Sequence, residues 1–92
     1  MLPIEWRQSA RENLYQILNF INEHNDAAAE QLFERIEQLL VHAAEHPYFY
    51  KQSMRILALR EIVAHPNYCV LYLVTMTHIE VVTVIHSRCE YP

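Results

Sequence analysis

The pattern of apolar and polar positions divides the chain into two helical and four extended segments. Residues 3–7 are predicted to form a short strand, in which Ile4 and Trp6 alternate with polar neighbours. Ser9 is then predicted to cap a helix, with Glu12 completing a capping box. The apolar stripe of this helix consists of Leu14, Ile17, Leu18 and Ile21.

A second helix is predicted after the polar sequence of residues 23–26. Asn25 or Asp26 can cap it, and Pro47 ends it. Its apolar stripe consists of Leu32, Ile36, Leu39, Leu40 and Ala43. Because the link between the helices is so short, the two must form an antiparallel hairpin.

After an aromatic loop at residues 47–54, the period changes to that of strands. Residues 60–64, 68–74 and 79–85 are rich in β-branched and aromatic side chains, and turn-forming residues separate them. The second of these runs is apolar throughout, as expected of a central strand covered on both faces. The chain is therefore predicted to be a single α+β domain of order β-α-α-β-β-β over residues 1–92. In this fold, the helical hairpin packs on a mostly antiparallel four-stranded sheet.

The amino-acid composition excludes several classes of function. The chain has no glycine, which excludes a P-loop, a dinucleotide-binding GxGxxG turn and other glycine-rich phosphate cradles. Any tight hairpin that needs positive φ must then use Asn, Asp or His. Hydrophobic residues make up 52% of the chain, so some of them are expected on a surface that a partner covers.

The charged residues are unevenly distributed within a net charge of −4. Residues 1–50 carry three basic and eight acidic side chains, whereas residues 51–92 carry four basic and three acidic ones. This balance argues against a domain that binds nucleic acid directly, although the second half can hold a small basic site. The chain has neither the apolar core of a signal peptide nor a membrane-length apolar stretch, so a soluble cytoplasmic protein is expected. Cys69 and Cys89 are predicted to be free thiols.

Two histidine patterns raise the question of a metal site. Residues 42–46 match H-x-x-E-H, a zinc-protease motif read in the inverse order, but the sequence offers no third ligand. We therefore expect His42 and His46 to lie on the wet face at the end of the second helix. His86 and Cys89 likewise have no second ligand pair. No metal and no cofactor are predicted.

Two other sets of residues are candidates for function. Lys and Arg side chains that bind phosphate or carboxylate, together with His and Tyr side chains that move protons, can meet on one side of an antiparallel sheet. This set is Lys51, Arg55, Arg60, His86, Arg88 and Tyr91. The alternative is that Arg60 pairs with an acid and Arg88 is solvated. The second set is a partner surface or simply an aromatic core, and consists of Tyr48, Phe49, Tyr50, Tyr68 and Tyr72.

Short motifs follow one another in an order typical of one family. They are Ser9–Leu14, Ala27–Ala28, Glu45–Tyr48, Leu59–Val63, Pro66–Tyr68, Leu71–Tyr72, His86–Arg88 and Tyr91–Pro92. Together they resemble the ParE branch of the RelE/ParE toxin superfamily over nearly the whole chain. The resemblance implies a helical hairpin on an antiparallel sheet. It also implies a bacterial type II toxin, of the kind that stabilises plasmids, held inactive by a cognate antitoxin.

ParE-like toxins inhibit DNA gyrase by binding it and are not enzymes, and the sparse positive charge here favours that branch. For the gyrase-binding surface the resemblance implies Arg60, His86, Arg88 and Tyr91. For antitoxin contact it implies the edge strands together with Trp6, Leu14, Ile17, Leu18, Tyr48 and Tyr50. The alternative is RelE-like cleavage of mRNA on the ribosome, with His86 and Tyr91 in proton transfer and Arg60 and Arg88 on phosphate.

Three positions depart from the family pattern. Ala58 stands where relatives usually have glycine, and Leu73 and Cys89 stand where they often have arginine. The loss of two cations leaves a third alternative, a degenerate toxin that only binds its antitoxin. If the missing glycine serves a positive φ or a bulge, Ala58 is expected to strain or reshape the start of the following strand.

Overall fold

A computed structural model describes residues 1–86 of the protein. The six predicted elements are present in the predicted order, β-α-α-β-β-β. They are β1 (Ile4–Trp6), α1 (Gln8–Asn22), α2 (Asp26–Glu45), β2 (Arg60–His65), β3 (Tyr68–Val74) and β4 (Ile79–His86).

The four strands form one sheet in the order β1-β4-β3-β2. β3 is antiparallel to both β2 and β4, whereas β1 is parallel to β4. The sheet is therefore mixed and mostly antiparallel, as predicted, with β1 and β2 at its edges. Residues 68–72 of β3 are all buried, which confirms this strand as a central one.

The start of α1 is not where the capping box predicts it. The helix begins at Gln8, and the N-cap position is Arg7, which makes no side-chain capping bond. The Arg7 amide instead donates to the Val81 carbonyl at 3.0 Å, so pairing with the sheet fixes where the helix begins. The cap of α2 is confirmed, because Oδ1 of Asn25 accepts from the Ala28 amide at 3.0 Å.

The two helical stripes form one side of the core, as their spacing predicts. Leu14, Ile36 and Leu40 are buried against the apolar side chains of the sheet. In β4 the buried positions change phase, from Ile79 and Val81 to Val84. A bulge explains the change, because the β3 partners of β4 step from Val81 directly to Thr83 and leave Val82 unmatched.

The absence of glycine has no conformational cost in the described residues, none of which has positive φ. No turn in the described residues therefore needs Asn, Asp or His in place of glycine, and the φ of Ala58 is ordinary. The turn between β3 and β4 closes through Thr75 instead. Its Oγ1 accepts from the His78 amide at 3.0 Å and donates to the His78 carbonyl at 2.8 Å. A threonine side chain thus closes this turn, in which no residue has positive φ.

The prediction of free thiols is wrong for Cys69, which is disulfide-bonded. Its sulfur is buried and lies 3.2 Å from a carboxylate oxygen of Glu61. Sequence spacing could not predict this, because disulfide formation depends on the approach of Cα atoms that only the fold provides. Cys89 lies outside the described residues. None of the helices described is long and apolar enough to cross a membrane.

Candidate functional site

Arg60 begins β2 and is held in place by the aromatic loop. One terminal nitrogen of its guanidinium group, Nη1, donates to the Tyr50 carbonyl at 2.7 Å. The guanidinium carbon lies 4.9 Å from the centre of the Tyr48 ring, within the range of a cation–π contact. No acidic side chain within residues 1–86 pairs with it, so the expected ion pair is replaced by a carbonyl and a ring.

Next to Arg60, the half-buried Tyr50 and the buried Tyr72 connect the loop to α2 and the sheet. The Tyr50 hydroxyl lies 2.9 Å from Nδ1 of His42, and the Tyr72 hydroxyl donates to the Pro47 carbonyl at 2.8 Å. Burial raises the pKa of Tyr72 to about 12, an effect that the nearby Arg60 charge partly opposes. Burial likewise raises the pKa of Tyr50, here opposed by Arg35. Both groups are therefore neutral at physiological pH and serve to position the loop.

The remainder of the loop folds around Ser53, which is buried. Its Oγ accepts from the amides of Arg55 and Ile56 at 3.1 and 3.2 Å, and its own amide donates to the Leu59 carbonyl at 2.7 Å. Because the polar groups turn inward, large apolar side chains are left in solvent. These five residues, the loop surface, are Tyr48, Phe49, Met54, Ile56 and Leu57.

An exposed apolar surface of this kind is typical of a binding site for another macromolecule. Phe49, Met54 and Leu57 are each at least 70% exposed. The basic side chains Lys51 and Arg55 are also exposed in the same segment. Sequence analysis identified the aromatic half of this surface and missed Met54, Ile56 and Leu57. The only signal for them is that they are apolar in a segment without helix or strand periodicity.

His86 lies away from Arg60. Arg60 pairs with Tyr72 of β3, whereas His86 pairs with Tyr68, so the two positions are about 13 Å apart along the strand. They also flank β3 on opposite sides, which adds about 10 Å across the sheet. The His86 ring stacks on Tyr68, with centroids 4.7 Å apart. The structure therefore does not bring together Arg60 and His86, two members of the predicted set. The other two predicted residues, Arg88 and Tyr91, lie outside the described residues.

A second candidate surface is a cavity of about 270 Å³ where the two helices meet β1. We call it the hairpin groove. Its apolar lining includes Trp6, Leu14, Tyr15, Phe33 and Val41. Arg11 and Glu37 add one charge of each sign.

The predicted antitoxin residues fall into three places. Trp6 and Leu14 line the hairpin groove, and Leu18 lines a neighbouring depression that shares Phe33 with it. Ile17 is part of the buried core. Tyr48 and Tyr50 lie beside Arg60 instead.

The two histidines of the H-x-x-E-H sequence lie near the end of α2, with ring centres 5.0 Å apart. His42 makes its hydrogen bond to Tyr50 rather than to a neighbouring ligand. Within residues 1–86, no group of three or more His, Cys, Asp or Glu side chains is placed to hold a metal ion. Through its hydrogen bond to Tyr50, His42 helps to hold the aromatic loop in position.

A helical hairpin on a mixed four-stranded sheet is an architecture shared with other solved structures. A chain of the chromosomal ParDE TA system from P. aeruginosa superposes with a TM-score of 0.79 at 11% identity, covering 96% of this chain and 98% of that one. A chain of the YoeB dimer from Staphylococcus aureus gives a TM-score of 0.62 at 11% identity, covering 98% of each. These likenesses establish the fold.

The sequence identifies the family. The profile of the ParE toxin of the type II toxin-antitoxin system parDE matches residues 4–91. The chain therefore belongs to the ParE toxin family. None of the curated proteins matches it.

Proposed function

We propose that the protein inhibits DNA gyrase by binding it through the loop surface and Arg60, and that a cognate antitoxin neutralises this activity. Membership of the ParE toxin family supports the assignment. The observation that carries it is the loop surface, where five large apolar side chains are exposed next to a fixed cation. Such an action takes place in the bacterial cytoplasm, where gyrase works.

The geometry favours binding over RNA cleavage. A general base and a phosphate-binding cation must both lie within hydrogen-bond reach of one reacting phosphodiester. Arg60 and His86 are separated by four positions along β3, and Arg60 is turned toward the Tyr50 carbonyl. Catalysis by these two residues together would require the sheet to rearrange.

A rigid binding surface suits an inhibitor. The hydrogen bonds of Ser53 and the contact of Arg60 with Tyr48 fix the loop before any partner arrives. Preorganisation of this kind reduces the entropy lost on association. The apolar side chains then supply buried area, and the Arg60 guanidinium supplies a charge at its edge.

The antitoxin is proposed to occupy the hairpin groove and to extend to the aromatic loop. The likeness to a chain of a ParDE TA system supports a protein partner of this kind. α2 joins the two surfaces, because Val41 lines the groove and His42 contacts Tyr50. Since Tyr48 lies against Arg60, an antitoxin that reaches Tyr48 also covers the proposed gyrase-binding cation.

The test is to induce the protein alone in cells and to follow DNA integrity, messages and growth. We expect DNA breaks, an SOS response and filamentation with intact messages. The double variant Ile56→Ser, Leu57→Ser should lose these effects. The matched control is Met76→Ser, because Met76 is fully exposed in the turn between β3 and β4 and lies outside the loop surface.

Each other outcome rejects the proposal. Cut messages with intact DNA would assign the protein to the RelE-like mechanism. An absence of any growth effect would assign it to the degenerate class that only binds an antitoxin. Equal toxicity of the loop variant and the Met76 control would show that gyrase inhibition does not depend on the loop surface.

A further inference from the structure

A third cavity, of about 400 Å³, lies between α2, the end of α1 and the turn that joins β2 to β3. We call it the turn cavity. Its floor is apolar and includes Ile21, Leu32 and Tyr68. Its volume falls within the range of small-molecule sites, at the lower end. It shares no lining residue with the hairpin groove.

Arg35 gives this cavity a positioned cation. Its Nε donates to the Ala64 carbonyl at 2.8 Å, which fixes the plane of the guanidinium group. Within residues 1–86, its two terminal nitrogens make no hydrogen bond or ion pair. An oriented guanidinium with its terminal edge available is the group that binds a planar anion through two parallel hydrogen bonds.

Neutral donors complete the rim. Nδ1 of His65 accepts from the Asn67 amide at 3.1 Å, so the neutral ring carries its proton on Nε2 and can donate with it. The side-chain amides of Gln31 and Asn67 also line the cavity. Each of these groups can donate to an oxygen atom without adding charge.

The charge of the lining selects the ligand. Arg35 is its one full charge, and the lining contains no carboxylate, although the whole chain carries a net charge of −4. The hairpin groove differs, because Glu37 there offsets Arg11. One cation with neutral donors balances a monoanion better than a phosphate dianion. The apolar floor requires an apolar group attached to that anion.

We propose that the turn cavity binds a carboxylate joined to an apolar group. Arg35 would hold the carboxylate, and the group attached to it would pack on Tyr68, Leu32 and Ile21. Two sources carry this chemistry: a free organic acid, and the C-terminal residue of a polypeptide. The site is independent of the proposed gyrase inhibition, so failure of either proposal leaves the other unchanged.

The test is an NMR titration of the full-length wild-type protein with phenylacetate. Saturable shifts are expected in the amide resonances of Ala64, His65 and Asn67. Phenylacetamide has the same shape without the charge, and should bind at least about tenfold more weakly because it lacks the charge-assisted pair. Equal binding of acid and amide, or no saturable shift with either, would overturn the proposal without any variant.

Two variants locate the cation. Arg35→Gln should weaken phenylacetate binding at least about tenfold. The matched control, Arg11→Gln, removes an arginine from the hairpin groove and should bind like the wild type. Should Arg11→Gln lose binding while Arg35→Gln retains it, the ligand lies in the other groove and the assignment is wrong.

A pair of peptides distinguishes the two sources. A short peptide ending in Leu with a free carboxylate is compared with the same peptide amidated. Stronger binding of the free form would identify a polypeptide C-terminus as the ligand. Binding of phenylacetate with no binding of either peptide would identify a free organic acid.

Discussion

Tyr72 links the sheet to the aromatic loop through one hydrogen bond. It is fully buried, and its hydroxyl donates to the Pro47 carbonyl at 2.8 Å. Tyr72→Phe leaves that carbonyl without its donor and should lower the free energy of unfolding by about 1 kcal/mol, measured by urea denaturation. The control is Tyr15→Phe, because Tyr15 is 55% exposed and its hydroxyl makes no hydrogen bond within residues 1–86.

The same residue gives stability a dependence on alkaline pH. Burial raises the pKa of Tyr72 from 10.0 to about 12, so the folded state favours the neutral phenol. Its contribution is complete below pH 10 and is lost as the pH rises from 10 toward 12. Tyr72→Phe should therefore flatten the fall in stability over this interval. An unchanged slope in the variant would contradict the assignment.

For Arg60, the sequence predicts a candidate role for the residue but not the groups that it contacts. The sequence predicts it as a candidate functional cation, with pairing to an acid as the alternative. Its actual partners are the Tyr50 carbonyl and the Tyr48 ring. Both lie ten or more positions away in the chain and meet Arg60 only because the loop folds back on β2. No local pattern encodes that contact.

At the scale of elements, β1 is held on β4 by a small charge network. Glu5 and Glu80 are directly paired across these parallel strands, and Arg7 forms an ion pair with Glu80. The His78 ring lies 3.2 Å from a Glu5 carboxylate oxygen and 3.5 Å from one of Glu80. The hydrogen bond from Arg7 is the main cause that lowers the pKa of Glu80. A lowered carboxyl pKa stabilises the folded state above the pKa of the unfolded chain, and this contribution disappears as the pH falls through the folded pKa.

Acidification should therefore loosen β1 before the rest of the sheet. Once the intrinsic pH dependence of amide exchange is divided out, the protection factors of the amides in residues 4–6 and 79–81 are expected to fall at acid pH more than those in β3. Glu80→Gln should show this lower protection already at neutral pH and should lose its pH dependence. Glu34→Gln, an exposed substitution on α2, serves as control. Exchange in Glu80→Gln that matches this control would contradict the network's role.

Elements with a clear period were predicted, whereas their junctions were predicted only in part. The helical stripes and the β-branched runs gave all six elements, because side-chain spacing reports the buried face directly. The start of α1 differs from the prediction because a sheet hydrogen bond to Arg7 outweighs the local capping signal. The bulge at Val82 leaves no trace in the sequence, since residues 79–85 suit either register.

For the whole molecule, α2 connects two surfaces with different proposed partners. The hairpin groove lies on one side of it, and the loop surface is attached to its C-terminal end through His42 and Tyr50. In the proposed arrangement, an antitoxin anchored in the groove continues along the C-terminal end of α2 toward the residues around Arg60. Under this proposal, the antitoxin neutralises the toxin by covering the residues around Arg60.

The candidate site was predictable in part. The resemblance located Trp6 and Leu14, which do line one groove, but it grouped Tyr48 and Tyr50 with them although these residues lie beside Arg60. It also grouped Arg60 with His86, which the strand register separates. Register and loop folding depend on contacts across the whole chain, so motif order alone cannot supply them.

The central claim is that the loop surface inhibits gyrase by binding, and a supercoiling assay with purified components tests it most directly. The wild-type protein and the Met76→Ser control should block supercoiling and trap gyrase on cleaved DNA. The Ile56→Ser, Leu57→Ser variant, shown to be folded by its urea transition, should leave supercoiling intact. Gyrase that works normally in excess wild-type protein would contradict the account.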